Sequence, residues 1–172
     1  LFILGGLLTL FTWIFLPDER IIFGILSFLG AMMLLFAPLR RQFYKVPWYI
    51  SFFVLILLLL IFKDFNSKHQ IHLFFTTVTL PDTLYQNDWL FFLGITSPDF
   101  FSADYFPLIP FGFAFLAGAA LSVPITNRKF PGWFYTLSCR PIDFVGRHTL
   151  IVYVLHQPIV FGILWLYFRL FS

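Results

Sequence analysis

The chain consists of apolar runs separated by short polar stretches. A helix that crosses a bilayer needs about 20 mostly apolar residues, with about 17 as a practical minimum. Several runs reach or approach this length, and each predicts a spanning helix. They cover residues 1–16, 21–39, 46–62, 107–123 and 144–171. The pattern predicts an all-α, polytopic transmembrane helix bundle with about five spanning helices, in a single transmembrane domain over residues 1–172.

A long connection over residues 63–106 separates the third run from the fourth. It contains two apolar patches, IHLFFTTVTL and WLFFLGI, and each is too short to cross a bilayer. The stretch DWLFFLGI predicts a short helix lying in the membrane interface, with Asp88 near its start and Trp89 at headgroup depth. A re-entrant segment buried by protein is the alternative.

The charges of the connections test this number of spans. Residues 17–20 hold one basic residue and two acids, whereas residues 40–45 hold three basic residues and no acid. The long connection holds two lysines against five aspartates, and residues 124–147 hold four basic residues against one acid. Connections rich and poor in basic residues therefore alternate, as the positive-inside rule requires. This predicts that 40–45 and 124–147 are cytoplasmic and that the long connection is non-cytoplasmic.

Composition supports a membrane protein. Apolar residues make up 60% of the chain and charged residues 11%, and 27 residues are phenylalanine. The mean hydropathy is +0.89. A soluble domain has about a quarter charged residues. The net charge of +3 resides in the connections, so it indicates membrane orientation rather than nucleic-acid binding. The single cysteine, Cys139, excludes an intrachain disulfide framework.

The stretch TLIVYVLHQPIVFG, residues 149–162, interrupts the fifth run with polar residues. A helix starting near Arg147 places His156 about 14 Å deep, close to the bilayer midplane. Tyr153 and Thr149 share its face. Pro158 cannot donate to the carbonyl four residues earlier, which leaves that oxygen for another partner. An imidazole at this depth suggests proton handling or substrate binding. A neutral histidine bonded to another helix is the alternative.

A second polar cluster precedes the fourth run, in SPDFFSADYFPLIPFG. Asp104 and Tyr105 stand just before Pro107, which suits the start of a helix. Asp104 could cap that helix. The functional alternative is a carboxylate at the mouth of a non-cytoplasmic cavity, orienting a catalytic group or binding a substrate hydroxyl.

The third cluster is the basic connection that holds Arg128, Arg140 and Arg147. Guanidinium groups there could bind the phosphates of a cofactor arriving from the cytoplasm. The positive-inside rule explains the same residues without a ligand. The sequence has no glycine-rich phosphate loop, no GxSxG and no HExxH, and we predict no metal site.

Two phrases, FSADYFPLIPFGFAFLAGAAL and VGRHTLIVYVLHQPIV, resemble the C-terminal half of the heparan-α-glucosaminide N-acetyltransferase catalytic-domain-like family of bacterial membrane proteins. LFTWIFLPDERIIFGILSFLGAMMLL is similar to that family's third helix, turn and fourth helix. The resemblance covers nearly the whole chain. Its specific part lies in SADYFPL and GRxxLxxYxxHQP. Two departures are Ser27, where the family often has histidine, and the family's DxLRG helix with its nearby histidine, which does not occur here.

The resemblance implies a transmembrane acyltransferase that takes an acetyl group from cytoplasmic acetyl-CoA and gives it to a sugar or glycan acceptor. It places His156 and Asp104 as catalytic residues, and Tyr105, Tyr153 and Gln157 as substrate-binding residues. The basic cluster would bind acetyl-CoA. We expect the chain to be a C-terminal fragment without the family's N-terminal catalytic helix, located in the bacterial inner membrane.

The competing class is a proton-coupled transporter, or a non-catalytic membrane subunit with a polar intramembrane seam. A carrier also uses ionisable residues near the midplane. For either class the expected partners are the lipid bilayer and, for the enzyme, the acceptor. The sequence leaves open whether the chain also forms a homo-oligomer.

Overall fold

The structure is a computed structural model that describes residues 1–66, 70–73, 76–86, 88–136 and 138–171. Within the helices and strands, the side chains at positions 72, 73, 76, 77, 82, 157, 158, 161 and 171 lie outside this description. The chain divides into two compact units, Leu1–Asn127 and Arg128–Ser172. Each unit is described by itself.

The first unit contains four helices: α1 (Phe2–Phe15), α2 (Ile25–Phe43), α3 (Trp48–Ile61) and α4 (Leu108–Thr126). Each lies on one of the first four predicted apolar runs. The second unit contains α5 (Gly132–Thr136), α6 (Arg140–Arg147) and α7 (Thr149–Phe171). The all-α prediction is confirmed at the level of fold class. The described residues include one small exception, a two-stranded hairpin in the long connection.

Two boundaries differ from the sequence prediction for physical reasons. α2 begins at Ile25 rather than at residue 21, because residues 20–24 bond to a distant segment described below and Phe23 adopts a left-handed backbone with φ of 56°. The fifth run is not one helix. It is divided at His148, whose backbone (φ −110°, ψ 22°) ends α6. Apolar periodicity continues across this break, so the sequence pattern gives no sign of it.

α1 and α2 approach each other closely through small residues. An ideal Cβ placed on Gly5 would lie 2.3 Å from Ser27 Oγ and 2.6 Å from the Ser27 backbone nitrogen. One placed on Gly30 would lie 2.4 Å from the backbone nitrogen of Phe2. At the other end of α1, the buried Thr12 hydroxyl accepts the N–H of Ile21 at 3.1 Å. Glycine at these contacts permits backbone-to-backbone packing, as in membrane helix pairs.

α4 packs mainly against α3 and also contacts α2. Gly112, Ala117 and Ala120 are the small residues of α4 that are buried. An ideal Cβ on Gly112 would contact Met32 Sδ of α2 at 3.3 Å. Phenylalanine rings fill the wider gaps between helices. Phe28 lies 6.5 Å from Phe111, ring centroid to ring centroid.

The outer faces of the helices expose large apolar side chains. Trp13 and Phe15 of α1 are 68% and 66% exposed, and Phe53 of α3 is 68% exposed. Among the described residues, α4 is the helix both long and apolar enough to cross a bilayer, and 28% of its most apolar window is buried. α1 and α3 are apolar but shorter, with 14 residues each. The prediction of five spans and of one transmembrane domain stays a prediction.

The long connection has structure of its own. Strands β1 (Gln70–Leu73) and β2 (Thr76–Thr79) form an antiparallel hairpin with Ile71 opposite Val78. Short 3-10 helices follow at Asp82–Tyr85 and Asp88–Leu93. The second of these lies in DWLFFLGI, where the sequence predicts a short helix, but non-helical backbone at Leu90 (φ −105°, ψ 24°) kinks it. Its position relative to the membrane interface stays a prediction.

Candidate functional site

The predicted site residues divide between the two units. Asp104 and Tyr105 belong to the first unit. The second holds the remaining ones: Arg128, Arg140, Arg147, Tyr153, His156 and Gln157. The two groups are therefore described one after the other.

In the first unit, residues 102–106 bond along the turn formed by residues 20–25. The Ala103 N–H donates to the carbonyl of Arg20 at 3.0 Å, and the Phe106 N–H donates to the carbonyl of Phe23 at 3.1 Å. Ser102 Oγ accepts the N–H of Ile22 at 2.8 Å. We call these two segments together the SADYF clamp, after the residues at 102–106. The clamp satisfies backbone groups that the start of α2 leaves without intrahelical partners.

Asp104 caps α2. Its Oδ2 accepts the N–H of Ile25, the first residue of α2, at 3.1 Å. The carboxylate faces the positive end of the helix dipole, where a negative charge is stabilised. The sequence predicted a cap on α4 instead. That helix starts after Pro107, and the structure gives its N-cap no side-chain hydrogen bond within the described residues. The Asp104 carboxylate thus caps a helix whose first residue lies 79 positions earlier in the chain.

Tyr105 ties the clamp to the rest of the long connection. Its hydroxyl donates to the backbone carbonyl of Phe91. Its ring centroid lies 5.0 Å from that of Phe100. Burial raises the pKa of the Tyr105 phenol, and the negative charge of Asp88 raises it further. The phenol therefore stays neutral and keeps its proton for the Phe91 carbonyl. The substrate-binding role of Tyr105 stays a prediction.

In the second unit, the His156 ring bonds to the backbone of its own helix. Its Nδ1 bonds to the backbone carbonyl of Tyr153, one turn earlier on α7. A carbonyl oxygen only accepts, so Nδ1 carries the proton and Nε2 of the neutral ring is the acceptor. The ring centroids of His156 and Tyr153 lie 5.5 Å apart. His156 is exposed and Tyr153 is half-buried. The predicted shared face of these two residues is present, and their catalytic and binding roles stay predictions.

His148 repeats the same arrangement at the break between α6 and α7. Its Nδ1 donates to the carbonyl of Phe144 at 2.9 Å, and its ring lies 4.5 Å from the Phe144 ring. Thr149, the first residue of α7, donates its hydroxyl to the carbonyl of Gly146 at 2.7 Å. The Thr149 hydroxyl thus bonds to its own chain. Gln157 lies in α7, and its side chain is outside the described residues.

Two of the three predicted arginines lie on one edge of α6. Arg140 is its first residue and Arg147 its last, and both are exposed. Asp143 shares this edge and accepts the hydroxyl of Ser138 at 2.7 Å. Arg128 lies earlier, with its guanidinium 5.9 Å from the Tyr135 ring. The exposed guanidinium groups of Arg140 and Arg147 suit phosphate oxygens in charge and geometry. Phosphate binding by these residues stays a prediction.

Sequence reasoning missed Gly24 and Tyr85. An ideal Cβ on Gly24 would lie 2.5 Å from Asp104 Oδ2, so the carboxylate needs a glycine there. A glycine directly before an apolar run is a signal for an N-cap. Tyr85 is 2% exposed and donates its hydroxyl to the Phe65 carbonyl at 3.1 Å. Burial raises its pKa. Nothing in the polar stretch around Tyr85 indicates burial.

The described residues contain no group of three or more histidine, cysteine, aspartate or glutamate side chains that could hold a metal ion. What the described part of the chain offers is one exposed imidazole on α7, a carboxylate at a helix start and two arginines on α6. In the second unit, the imidazole can move protons and the arginines can bind anions, while the Asp104 carboxylate belongs to the first unit.

The helical fold, the exposed apolar faces and the long apolar α4 are features that helical membrane proteins share. The family described as heparan-alpha-glucosaminide N-acetyltransferase, catalytic, matches residues 1–158. The chain belongs to this family, which is membrane-embedded and whose activity is acetyl transfer. The match includes all the predicted site residues, from Asp104 to Gln157. No curated protein and no solved structure matches the chain.

Proposed function

We propose that the chain is an integral membrane acyltransferase that moves an acetyl group from cytoplasmic acetyl-CoA to a sugar or glycan acceptor across the bacterial inner membrane. The observation that carries this proposal is the family match over residues 1–158. An acyl-CoA donor and a sugar acceptor are what this family implies in general. The acetyl donor, the cytoplasmic side and the acceptor class are our proposal.

The chemistry assigns a role to His156. Acyl transfer breaks the C–S bond of the thioester and forms a C–N or C–O bond to the acceptor. The acceptor amine or hydroxyl loses a proton, and the departing thiolate takes one up. Because Nδ1 of His156 is bonded to the Tyr153 carbonyl, Nε2 is the atom that can receive the acceptor's proton. It could equally attack the acyl carbonyl, as an imidazole nucleophile does.

The other predicted residues have supporting roles in this proposal. Tyr153 and Gln157 stand within one turn of His156 on α7 and would bind the acceptor. Asp104 and Tyr105 belong to the SADYF clamp and would act on the non-cytoplasmic side, Asp104 as a catalytic carboxylate. Arg128, Arg140 and Arg147 would bind the phosphates of acetyl-CoA at the cytoplasmic side, with the Arg140 and Arg147 pair the better placed for two phosphate groups.

Replacing His156 tests the catalytic role. We expect His156→Ala to lower the rate of acetyl transfer about 100-fold or more, since a positioned general base contributes about 10²–10⁴. The measurement uses membranes that contain the protein, radiolabelled acetyl-CoA and a panel of amino sugars and glycans. Binding of labelled acetyl-CoA to the purified protein is measured beside it.

His148→Ala is the matched control, because His148 makes the same Nδ1 bond to a backbone carbonyl. It should leave transfer near the wild-type rate. Undiminished transfer by a folded His156→Ala protein would end the catalytic role of His156. Proton-driven flux without saturable acetyl-CoA binding would overturn the enzyme proposal and favour the carrier.

A further inference from the structure

α6 is amphipathic over its eight residues. Arg140, Asp143 and Arg147 follow at intervals of three and four, which places them on one edge of the helix. Ile142 and Val145 lie on the opposite edge and are 70% and 49% exposed. A helix of a soluble unit would bury such an edge against a core. Here the apolar edge of α6 has no cover within the described residues of its own unit.

The residues just before α6 have the same character. Trp133 in α5 is 63% exposed, and Phe134 beside it is 41% exposed. Arg128 and Lys129 precede them. Residues 128–148 thus carry four cations against one acid. The segment therefore carries a formal charge of +3, and the hydrogen bond that Asp143 accepts from the neutral Ser138 hydroxyl leaves this charge unchanged.

We propose that α5 and α6, together with Arg128 and Lys129, lie in the surface of an anionic lipid leaflet and bind its headgroups. The apolar edge of α6 and the ring of Trp133 would enter the upper acyl-chain region, and the arginines would reach lipid phosphates. This inference goes beyond acetyl transfer and does not depend on it. Charge complementarity selects the occupant, because clustered cations are attracted to an anionic membrane surface.

Continuity of the chain also supports lipid as the occupant. α7 starts at Thr149, directly after the segment, and its described side chains are apolar and exposed along most of its 23 residues. In this proposal, lipid covers those exposed apolar side chains. The segment therefore joins the membrane at the level where headgroups begin. At headgroup depth, Arg140 and Arg147 would also be accessible to an acyl donor that arrives from solution.

The native Cys139 gives a direct test. It is exposed, stands immediately before α6 and is the single cysteine of the chain, so a nitroxide can be attached without other changes. The labelled protein is placed in nanodiscs of phosphatidylcholine, with or without phosphatidylglycerol. Collision of the label with oxygen and with a water-soluble nickel complex then reports its depth. We expect a label at headgroup depth, deeper in the anionic nanodiscs.

Two sets of variants separate the apolar and the charged contributions. The pair Ile142→Ser and Val145→Ser should at least double the collision rate with nickel. The matched control, Ile50→Ser with Val54→Ser on α3, changes the same residue types at 44% and 48% exposure and should leave the label's depth unchanged. The pair Arg140→Gln and Arg147→Gln should abolish the difference between the two lipid compositions.

Circular dichroism checks that each variant keeps its helices. A label equally accessible to nickel before and after the serine substitutions would overturn the proposal. So would a depth that does not respond to phosphatidylglycerol, because the segment would then be held by protein or by neutral lipid.

Discussion

At the scale of single residues, Asp104 has a structural task that competes with its proposed catalytic one. Its carboxylate accepts the Ile25 N–H, and Gly24 leaves the space in which that oxygen lies. A side chain at a helix N-cap contributes about 0.5–2 kcal/mol to stability. Loss of activity after a crude substitution of Asp104 would therefore not prove chemistry. The two roles need variants that separate them.

Asp104→Asn and Asp104→Ala make this separation. Asparagine keeps an oxygen that can accept the Ile25 N–H, so we expect its stability within about 1 kcal/mol of wild type. Alanine removes the cap and should lower the melting temperature in detergent. If the carboxylate serves catalysis, the asparagine variant should lose at least 90% of acetyl transfer while it stays folded. Wild-type transfer by Asp104→Asn would leave the cap as the role of this residue.

Gly24→Ala probes the same contact from the other side. Its Cβ would lie 2.5 Å from Asp104 Oδ2 and 2.9 Å from Ile21 Cγ2, so the turn or the carboxylate must move. We expect destabilisation of about 1–3 kcal/mol, the usual cost of overpacking. Thermal unfolding in detergent measures it. Gly146→Ala is the control, since a Cβ there meets nothing within 4 Å. Equal melting temperatures for the two variants would contradict the clamp geometry.

At the scale of elements, α1 and α2 make the tightest helix–helix contact found at a glycine. The contact at Gly5 is with Ser27, and both the hydroxyl and the backbone of Ser27 are within 3 Å of an added Cβ. Ser27 is also the position where the resembling family often has histidine. A small residue at 27 is what lets α1 pack at this distance.

Gly5 and Gly6 form a matched pair for testing this packing. Both lie in α1, but a Cβ on Gly6 meets nothing within 4 Å. Gly6→Ala should be neutral or slightly stabilising, because alanine is the better helix former by about 1 kcal/mol. Gly5→Ala should destabilise the protein by about 1–3 kcal/mol, because the backbone of α2 cannot yield as a flexible side chain would. Thermal melts of both variants that coincide would contradict the close contact.

Local sequence predicted the helices well and their partners poorly. The first four apolar runs each became a helix, because length and hydropathy are properties of the run itself. In the sequence, residues 71–80 form an apolar patch. The β-branched residues of β2 (Thr76–Thr79) are the signal that favours a strand there. The bond from Ile25 to Asp104 could not be predicted at all, since no local pattern pairs residues 79 positions apart.

At the scale of the first unit, two contacts fix the relative direction of α2 and α4. The SADYF clamp joins the starts of both helices, since residues 102–106 precede α4 and bond to the turn before α2. Near their other ends, Tyr44 OH lies 3.5 Å from Ser122 Oγ. α2 and α4 therefore run parallel. Parallel directions agree with the charge alternation, which predicts residues 40–45 and 124–147 on one side and the long connection on the other.

The predicted orientation can be tested at Asn127, directly after α4, and at Trp89 in the long connection that precedes α4. In a Cys139→Ser background, Asn127→Cys and Trp89→Cys each introduce one exposed thiol. An impermeant maleimide should label Trp89→Cys from the non-cytoplasmic side and Asn127→Cys only in inverted membrane vesicles. The background protein without an added cysteine controls for non-specific labelling. Both thiols reacting from one side would mean that α4 does not cross the membrane.

The distance along the chain between the halves of the SADYF clamp sets an order of events during synthesis. The amides of Ile22 and Ile25 receive their partners from residues made 80 and 79 positions later. At a translation rate of about 5–20 residues per second, that interval lasts roughly 4–16 s. During this time, water or the insertion machinery must supply hydrogen-bond partners for the amides of Ile22 and Ile25. α1, α2 and α3 are therefore synthesised before the turn between α1 and α2 has its final bonds, and residues 102–106, just ahead of α4, complete that turn.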